Sequence, residues 1–127
     1  MVRKDFSTKE HKSLLSVVET FLRMHPNYAP KSMCFAVAGP VDDGLCFMTN
    51  LEWTVDAKDM SARLGVPVAV LNDFEAIGYG IHEVPGAEVV CLNDVPAKPR
   101  APIVVIGPGT GLGACQLFWD EASGAYK

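Results

Sequence analysis

The stretch IVVIGPGTGLGACQLFW, residues 103–119, restricts the fold of this chain more than any other segment. Gly107, Gly109, Gly111 and Gly113 fall inside it, four of the chain's 11 glycines. A continuous apolar run (103–106) leads in. A run that alternates large apolar residues with period two (114–119) leads out. Glycine permits positive φ and leaves no Cβ to hold a ligand away from the backbone. Three phosphate-loop designs use glycine in this way. A Walker A loop needs Gly-Lys-Ser/Thr running into a helix, and no lysine lies here. A dinucleotide fingerprint, G-x-G-x-x-G/A, must open a helix. Residues 109–114 fit its letters, but the alternation after them is that of a strand. Strand, glycine turn, strand remains. Such a hairpin is either a tight turn and nothing more, or a nest of backbone N–H groups that binds an anion, with the Thr110 hydroxyl as an added donor.

The rest of the chain alternates helical and strand-like segments. Ser7-Thr8-Lys9-Glu10 has the capping-box form, and Leu14, Leu15, Val18, Phe21 and Leu22 then share one helical face. The spacing predicts a helix over 8–24, ended by Pro26 and Asn27. Residues 33–38 read as a buried strand, GPVDDG (39–44) as a turn, and 45–48 as the returning strand. LEWTV is short, extended and ambiguous. Asp56 caps a helix over 57–64, stopped by Gly65 and followed by Pro67. Residues 67–71 form another apolar strand. Phe74, Ile77 and Ile81 suggest a helix within 72–82, weakened by Gly78 and Gly80. EVVCL (88–92) reads as a fourth strand, and 93–102, with three prolines, as a loop. The expected class is α/β with a mixed sheet and flanking helices.

Composition narrows the function classes. The chain has 127 residues, 49% of them hydrophobic and 20% charged, the profile of one soluble globular domain. Its formal charge is −4, and no Lys/Arg cluster interleaves with aromatics, which argues against nucleic acid as a partner. No apolar stretch reaches the ~20 residues of a membrane span, and the first dozen residues lack the apolar core of a signal peptide. Cys34, Cys46, Cys91 and Cys115 show no C-x-x-C spacing, and each lies in or beside an apolar run, so all are expected to be buried free thiols. His11, His25 and His82 form no metal pattern with them. A reduced, cytoplasmic protein with no structural zinc and no metal-ligating side chains is expected.

Asn72-Asp73 stands where a strand ends and a helix begins, the edge at which open α/β sheets bind ligands. A carboxylate there can take a proton from a substrate hydroxyl, and the neighbouring amide can orient that substrate. Asx residues also cap helices, so the pair alone leaves both roles open. Together with a glycine/threonine nest, it supplies two parts that phosphoryl transfer requires: a cradle for phosphate and a group that orients or deprotonates the nucleophile.

Four segments, in this order, resemble glucokinases of the bacterial type, within the sugar kinase/actin/chaperone ATPase superfamily: CFAVAGPV (34–41), MTNLEW (48–53), LNDFEAIGYGI (71–81) and IGPGTGLGACQL (106–117). The resemblance covers nearly the whole chain. It implies an actin-like ATPase (ribonuclease H-like) fold, and phosphorylation of the glucose 6-hydroxyl by ATP with Mg2+ as co-substrate. On this resemblance Asp73 is the base, Asn72 hydrogen-bonds sugar hydroxyls, Thr49 and Asn50 support the sugar site, and Gly109, Thr110 and Gly111 meet the ATP phosphates. It further implies a homodimer of the full-length protein. The family's first phosphate motif and its distal sugar and adenosine motifs have no counterpart here, so residues 1–127 are expected to be the central part of a longer kinase. The alternatives are a non-catalytic remnant that binds a nucleotide or a protein, and a related sugar kinase.

Overall fold

The computed structural model describes residues 2–109 and 111–127. The chain divides into two compact units, 1–73 and 74–127.

The first unit holds the core. Helix α1 (Leu14–Met24) presents Leu14, Val18 and Leu22 to it, and Val18 is buried. The predicted helix start at residue 8 is corrected. Thr8–Glu10 make one turn of 3-10 helix in which Ser7 forms no side-chain cap. Ser13 caps α1 instead, accepting from the Ser16 N–H at 3.2 Å. The capping-box letters are present, but the first apolar contact with the core comes at Leu14, and a helix this short is held by its packed face rather than by its propensity.

Strand β1 (Met33–Val37) does not pair with the segment that returns after the GPVDDG turn, as the sequence suggests. It pairs in parallel with β4 (Val68–Asn72), from Met33↔Val68 to Val37↔Asn72. The returning strand β2 (Leu45–Met48) pairs antiparallel with β3 (Trp53–Asp56), the segment whose letters are ambiguous. Only Val37 of β1 is buried, whereas Cys46 of β2 and Trp53 and Val55 of β3 are all buried, so β2 and β3 form a hairpin with one face in the core. Helix α2 (Ala57–Leu64) begins as expected: the Asp56 carboxylate accepts from the N–H groups of Lys58 (2.8 Å) and Asp59 (3.2 Å). It ends at Gly65 in the left-handed conformation, φ 71°. Val18, Val37, Cys46, Val55, Ala57, Met60 and Val70 form the buried cluster.

The second unit is built on helix α3, which spans Asp73–Gly80, and the antiparallel hairpin of β5 (Ile103–Pro108) and β6 (Leu112–Leu117). The strand after the glycines is therefore real, as its alternation required. Only one face of the hairpin is covered. Leu117 is buried, whereas Val104, Ile106 and Leu112 on the other face are exposed. A Cβ on Gly78 would stand 2.8 Å from Cys115 Sγ and 3.0 Å from Leu117 Cδ2. The helix thus approaches β6 more closely than any other residue would allow, which explains a glycine that propensity disfavours. A last short ladder joins β7 (Trp119–Asp120) to β8 (Ala125–Tyr126). Arg100 stacks on Trp119 at 5.1 Å and pairs with Glu121 at 3.3 Å.

Three further expectations are corrected. The strand at 88–92 is absent. Gly86–Glu88 form a 3-10 turn, and Val90 and Leu92 are 80% and 94% exposed. Its β-branched letters meet no pleated surface, and strand propensity is chiefly the ability to pack on one. The mixed sheet is four two-stranded ladders among the described residues, one parallel and three antiparallel. Of the four thiols only Cys46 is buried; Cys115 is half-buried, and Cys34 and Cys91 are exposed. Cys34 sits on the outward face of β1, where the strand's period of two places it.

Candidate functional site

Parallel pairing of β1 and β4 brings their C-terminal ends to one edge, with Val37 opposite Asn72. The chain leaves β1 through the turn at 39–41 and leaves β4 into α3, so both exits lie at this edge. They are joined there. The Asn72 side-chain Nδ2 donates to the Gly39 carbonyl at 3.0 Å. Gly39 packs against β2, where a Cβ would stand only 2.8 Å from Cys46 Sγ. The turn is therefore held from two sides, by an amide on β4 and a thiol on β2.

Asp73 is the first residue of α3 and is half-buried, as is Asn72. At the first turn of a helix the aligned peptide dipoles favour negative charge. A carboxylate at such a position can take a proton from a hydroxyl that comes within hydrogen-bond reach.

Thr49 and Asn50 are exposed in the turn between β2 and β3, which Leu51 N–H closes onto the Met48 carbonyl at 3.2 Å. Glu52 completes the turn at φ 54°. Both residues therefore belong to a hairpin turn whose shape is set by backbone.

In the second unit, Gly109 and Gly111 are exposed between β5 and β6. The Gly109 N–H donates to the Gly111 carbonyl at 2.8 Å. One of the backbone donors expected of a nest is thus spent on closing the loop. Thr110 lies outside the described residues. The other two glycines have a different reason to be there. Gly107 and Gly113 are direct cross-strand partners. A Cβ on Gly107 would stand 2.6 Å from Phe74 Cζ, and one on Gly113 would overlap the edge of the same ring at Cε2 and Cζ. The pair forms a saddle that receives an aromatic ring from α3.

The sequence marks Phe74 only as an apolar residue of helical spacing, and marks Gly39 as a turn residue that the family resemblance sets beside the sugar pocket, without its bond to Asn72. One signal for Phe74 is present. Glycines three residues either side of a hairpin centre must face each other across the ladder, and together they leave a ring-sized gap. The Gly39 bond has none, because its partner is 33 residues away.

A hollow of about 740 Å³ in the first unit lies elsewhere, against α2 and β4, with Asp43, Lys58, Ser61 and Val68 in its lining. It contains none of the candidate residues. Among the described residues no group of three or more His, Cys, Asp and Glu side chains is placed to hold a metal ion, and no helix is long and apolar enough to cross a membrane.

A family model described as Glucokinase matches residues 2–125. A glucokinase of Nostoc sp. (strain PCC 7120) is 35% identical over 126 residues, covering 98% of this chain and 36% of the relative. A glucokinase of Brucella abortus is 44% identical over 90 residues, covering 70% of this chain and 26% of the relative. Among solved structures, a glucokinase from an Antarctic psychrotroph superposes with a TM-score of 0.82 at 30% identity, covering 95% of this chain and 38% of that one. The chain spans about a third of the length of the relatives it matches.

Proposed function

Because the chain belongs to the glucokinase family, we propose that it supplies the central part of an active site that transfers a phosphoryl group from ATP to the 6-hydroxyl of glucose. The observation that carries the reading is the juncture of β1 and β4. An aspartate opens a helix at the C-terminal edge of a parallel pair, beside an amide that ties down the neighbouring turn. In α/β proteins that edge is where ligands bind. The actin-like ATPase fold is the architecture this reading implies.

Asp73 is the general base. Its carboxylate takes the proton of the sugar hydroxyl as that oxygen bonds to the γ-phosphorus of ATP, and the bond from phosphorus to the β–γ bridging oxygen breaks to release ADP. Such transfer asks the protein for positioning and charge stabilisation more than for covalent chemistry. Asn72 holds the sugar-side edge in shape through Gly39 and orients sugar hydroxyls. Thr49 and Asn50 border the same half. The loop of Gly109, Thr110 and Gly111 faces the ATP phosphates, and Mg2+ arrives with the nucleotide as co-substrate. The remaining length seen in relatives completes the cleft. A cytoplasmic enzyme, dimeric at full length, is part of the same reading.

The test replaces the matching segment of the Nostoc glucokinase with residues 2–125 of this chain. The hybrid is expected to release ADP only with both glucose and ATP present. Asp73→Asn is expected to lower kcat ~10²–10⁴-fold with the fold intact by circular dichroism. Full turnover in the Asp73→Asn hybrid would remove Asp73 from the chemistry.

A further inference from the structure

We propose that Phe74 is a positioning residue that sets where the hairpin loop presents Gly109 and Gly111, acting through the glycine saddle rather than by touching substrate. This rests on the reading above, in which that loop meets the phosphates of ATP.

The geometry lies within the second unit. Gly107 and Gly113 form the last cross-strand pair but one before the loop, followed only by Pro108↔Leu112. The edge of the Phe74 ring takes the place a Gly113 Cβ would occupy and comes within 2.6 Å of where a Gly107 Cβ would be. Its contact therefore falls at the mouth of the loop and spans both strands. Two glycines facing each other weaken a ladder, because neither has a side chain to pack across it. An aromatic ring laid over the gap restores that packing, a device known to support glycines in sheets. Further down, Gly78 brings α3 against Cys115 and Leu117 of β6. The helix thus holds the hairpin at two levels, at Gly78 near its base and at Phe74 beside its loop. The upper contact is the one that decides where the loop points. Because the saddle admits a flat ring and no Cβ, small changes on either side move the hairpin end as a unit. Misplacement by about 1 Å is enough to cost ~10²-fold in a reaction that depends on alignment.

The test uses the same hybrid enzyme. Phe74→Leu keeps apolar bulk and removes the flat ring. It is expected to raise KM for ATP ~10- to 100-fold, leaving KM for glucose within about twofold and the melting temperature of the hybrid within a few degrees of the parent. Gly113→Ala, which obstructs the saddle from the other side, is expected to raise KM for ATP in the same way. Its effect should largely vanish when Phe74→Leu is already present, since the obstructing ring is then gone. Gly113→Ala also stands as an independent arm should the Phe74 variant fold poorly. Equal rises in both KM values, or purely additive effects of the two substitutions, would overturn the proposal while leaving the kinase reading in place. A parent hybrid that never turns over glucose with ATP would remove the kinase reading and this proposal with it.

Discussion

The side-chain amide of Asn72 donates to the carbonyl of Gly39 at 3.0 Å across 33 residues of sequence. This bond links the exits of β1 and β4 and helps to hold the turn between β1 and β2. Its removal should register as lost stability. Asn72→Ala leaves a half-buried carbonyl without its donor and is expected to cost about 1 kcal/mol. Asn72→Asp puts a carboxylate oxygen where the donor stood, facing another oxygen, and should cost more than the alanine change. Urea unfolding of the three proteins gives the order. An Asn72→Asp variant as stable as the parent would show that the bond does not hold the turn.

Gly78 offers a prediction in which two effects oppose each other. Alanine in a helix interior is favoured over glycine by about 1 kcal/mol. Here its Cβ would meet Cys115 Sγ at 2.8 Å and Leu117 Cδ2 at 3.0 Å. Leu117 is 5% exposed and has little room to move. Overpacking of this kind costs about 1–3 kcal/mol, so Gly78→Ala should destabilise despite its propensity. Cys115→Ala in the same protein should recover part of the loss, measured as a coupling in a double-mutant cycle.

Thiol labelling separates the cysteines by access. Cys34 and Cys91 are exposed, and Cys46 is buried at 1%. With iodoacetamide under native conditions, mass spectrometry should find Cys34 and Cys91 modified first, Cys115 more slowly, and Cys46 only when the protein unfolds. Early modification of Cys46 would mean that the first unit opens readily.

The Lys127 ammonium, the Ser123 hydroxyl and the Ala122 N–H all hold the Asp120 carboxyl well below the usual carboxylate range. Its folded-state value is depressed, so the stabilisation it brings is complete above the ordinary value of about 4. That stabilisation is lost as the pH falls from there towards the folded-state value. The melting temperature of Asp120→Asn should therefore lie below that of the parent at pH 7. The gap should narrow progressively below pH ~4 and shrink at high salt, because the pair is solvent-exposed. A gap that widens with acid would refute this assignment. Asp43, held below its usual value by Lys58, acts in the same direction.

Local signals carried far where the partner of each residue lay nearby in sequence. The Asp56 cap, the Gly65 stop, the strand after the glycines and the helix after Asn72 all follow from chemistry within a few positions. The misreadings share one cause. Ser7 has the letters of a cap, but α1 starts where its apolar face first meets the core. The run at 88–92 has the letters of a strand but no surface to pack on. The segment at 45–48 reads as the partner of β1 because it comes next, whereas 53–56 is closer through a tighter turn.

The candidate site divides along the same line. The sequence by itself determined that an aspartate would stand at a strand–helix junction and that a glycine hairpin would follow, because both depend on periodicity and turn chemistry. Only the tertiary structure decided what those glycines are for. Four looked alike in the sequence. Two of them, Gly107 and Gly113, face each other across a ladder and make room for Phe74, while Gly109 and Gly111 close the exposed loop. A missing side chain has no signature of its own. Its meaning is whatever fills the space it leaves, and that is settled only when the chain has folded.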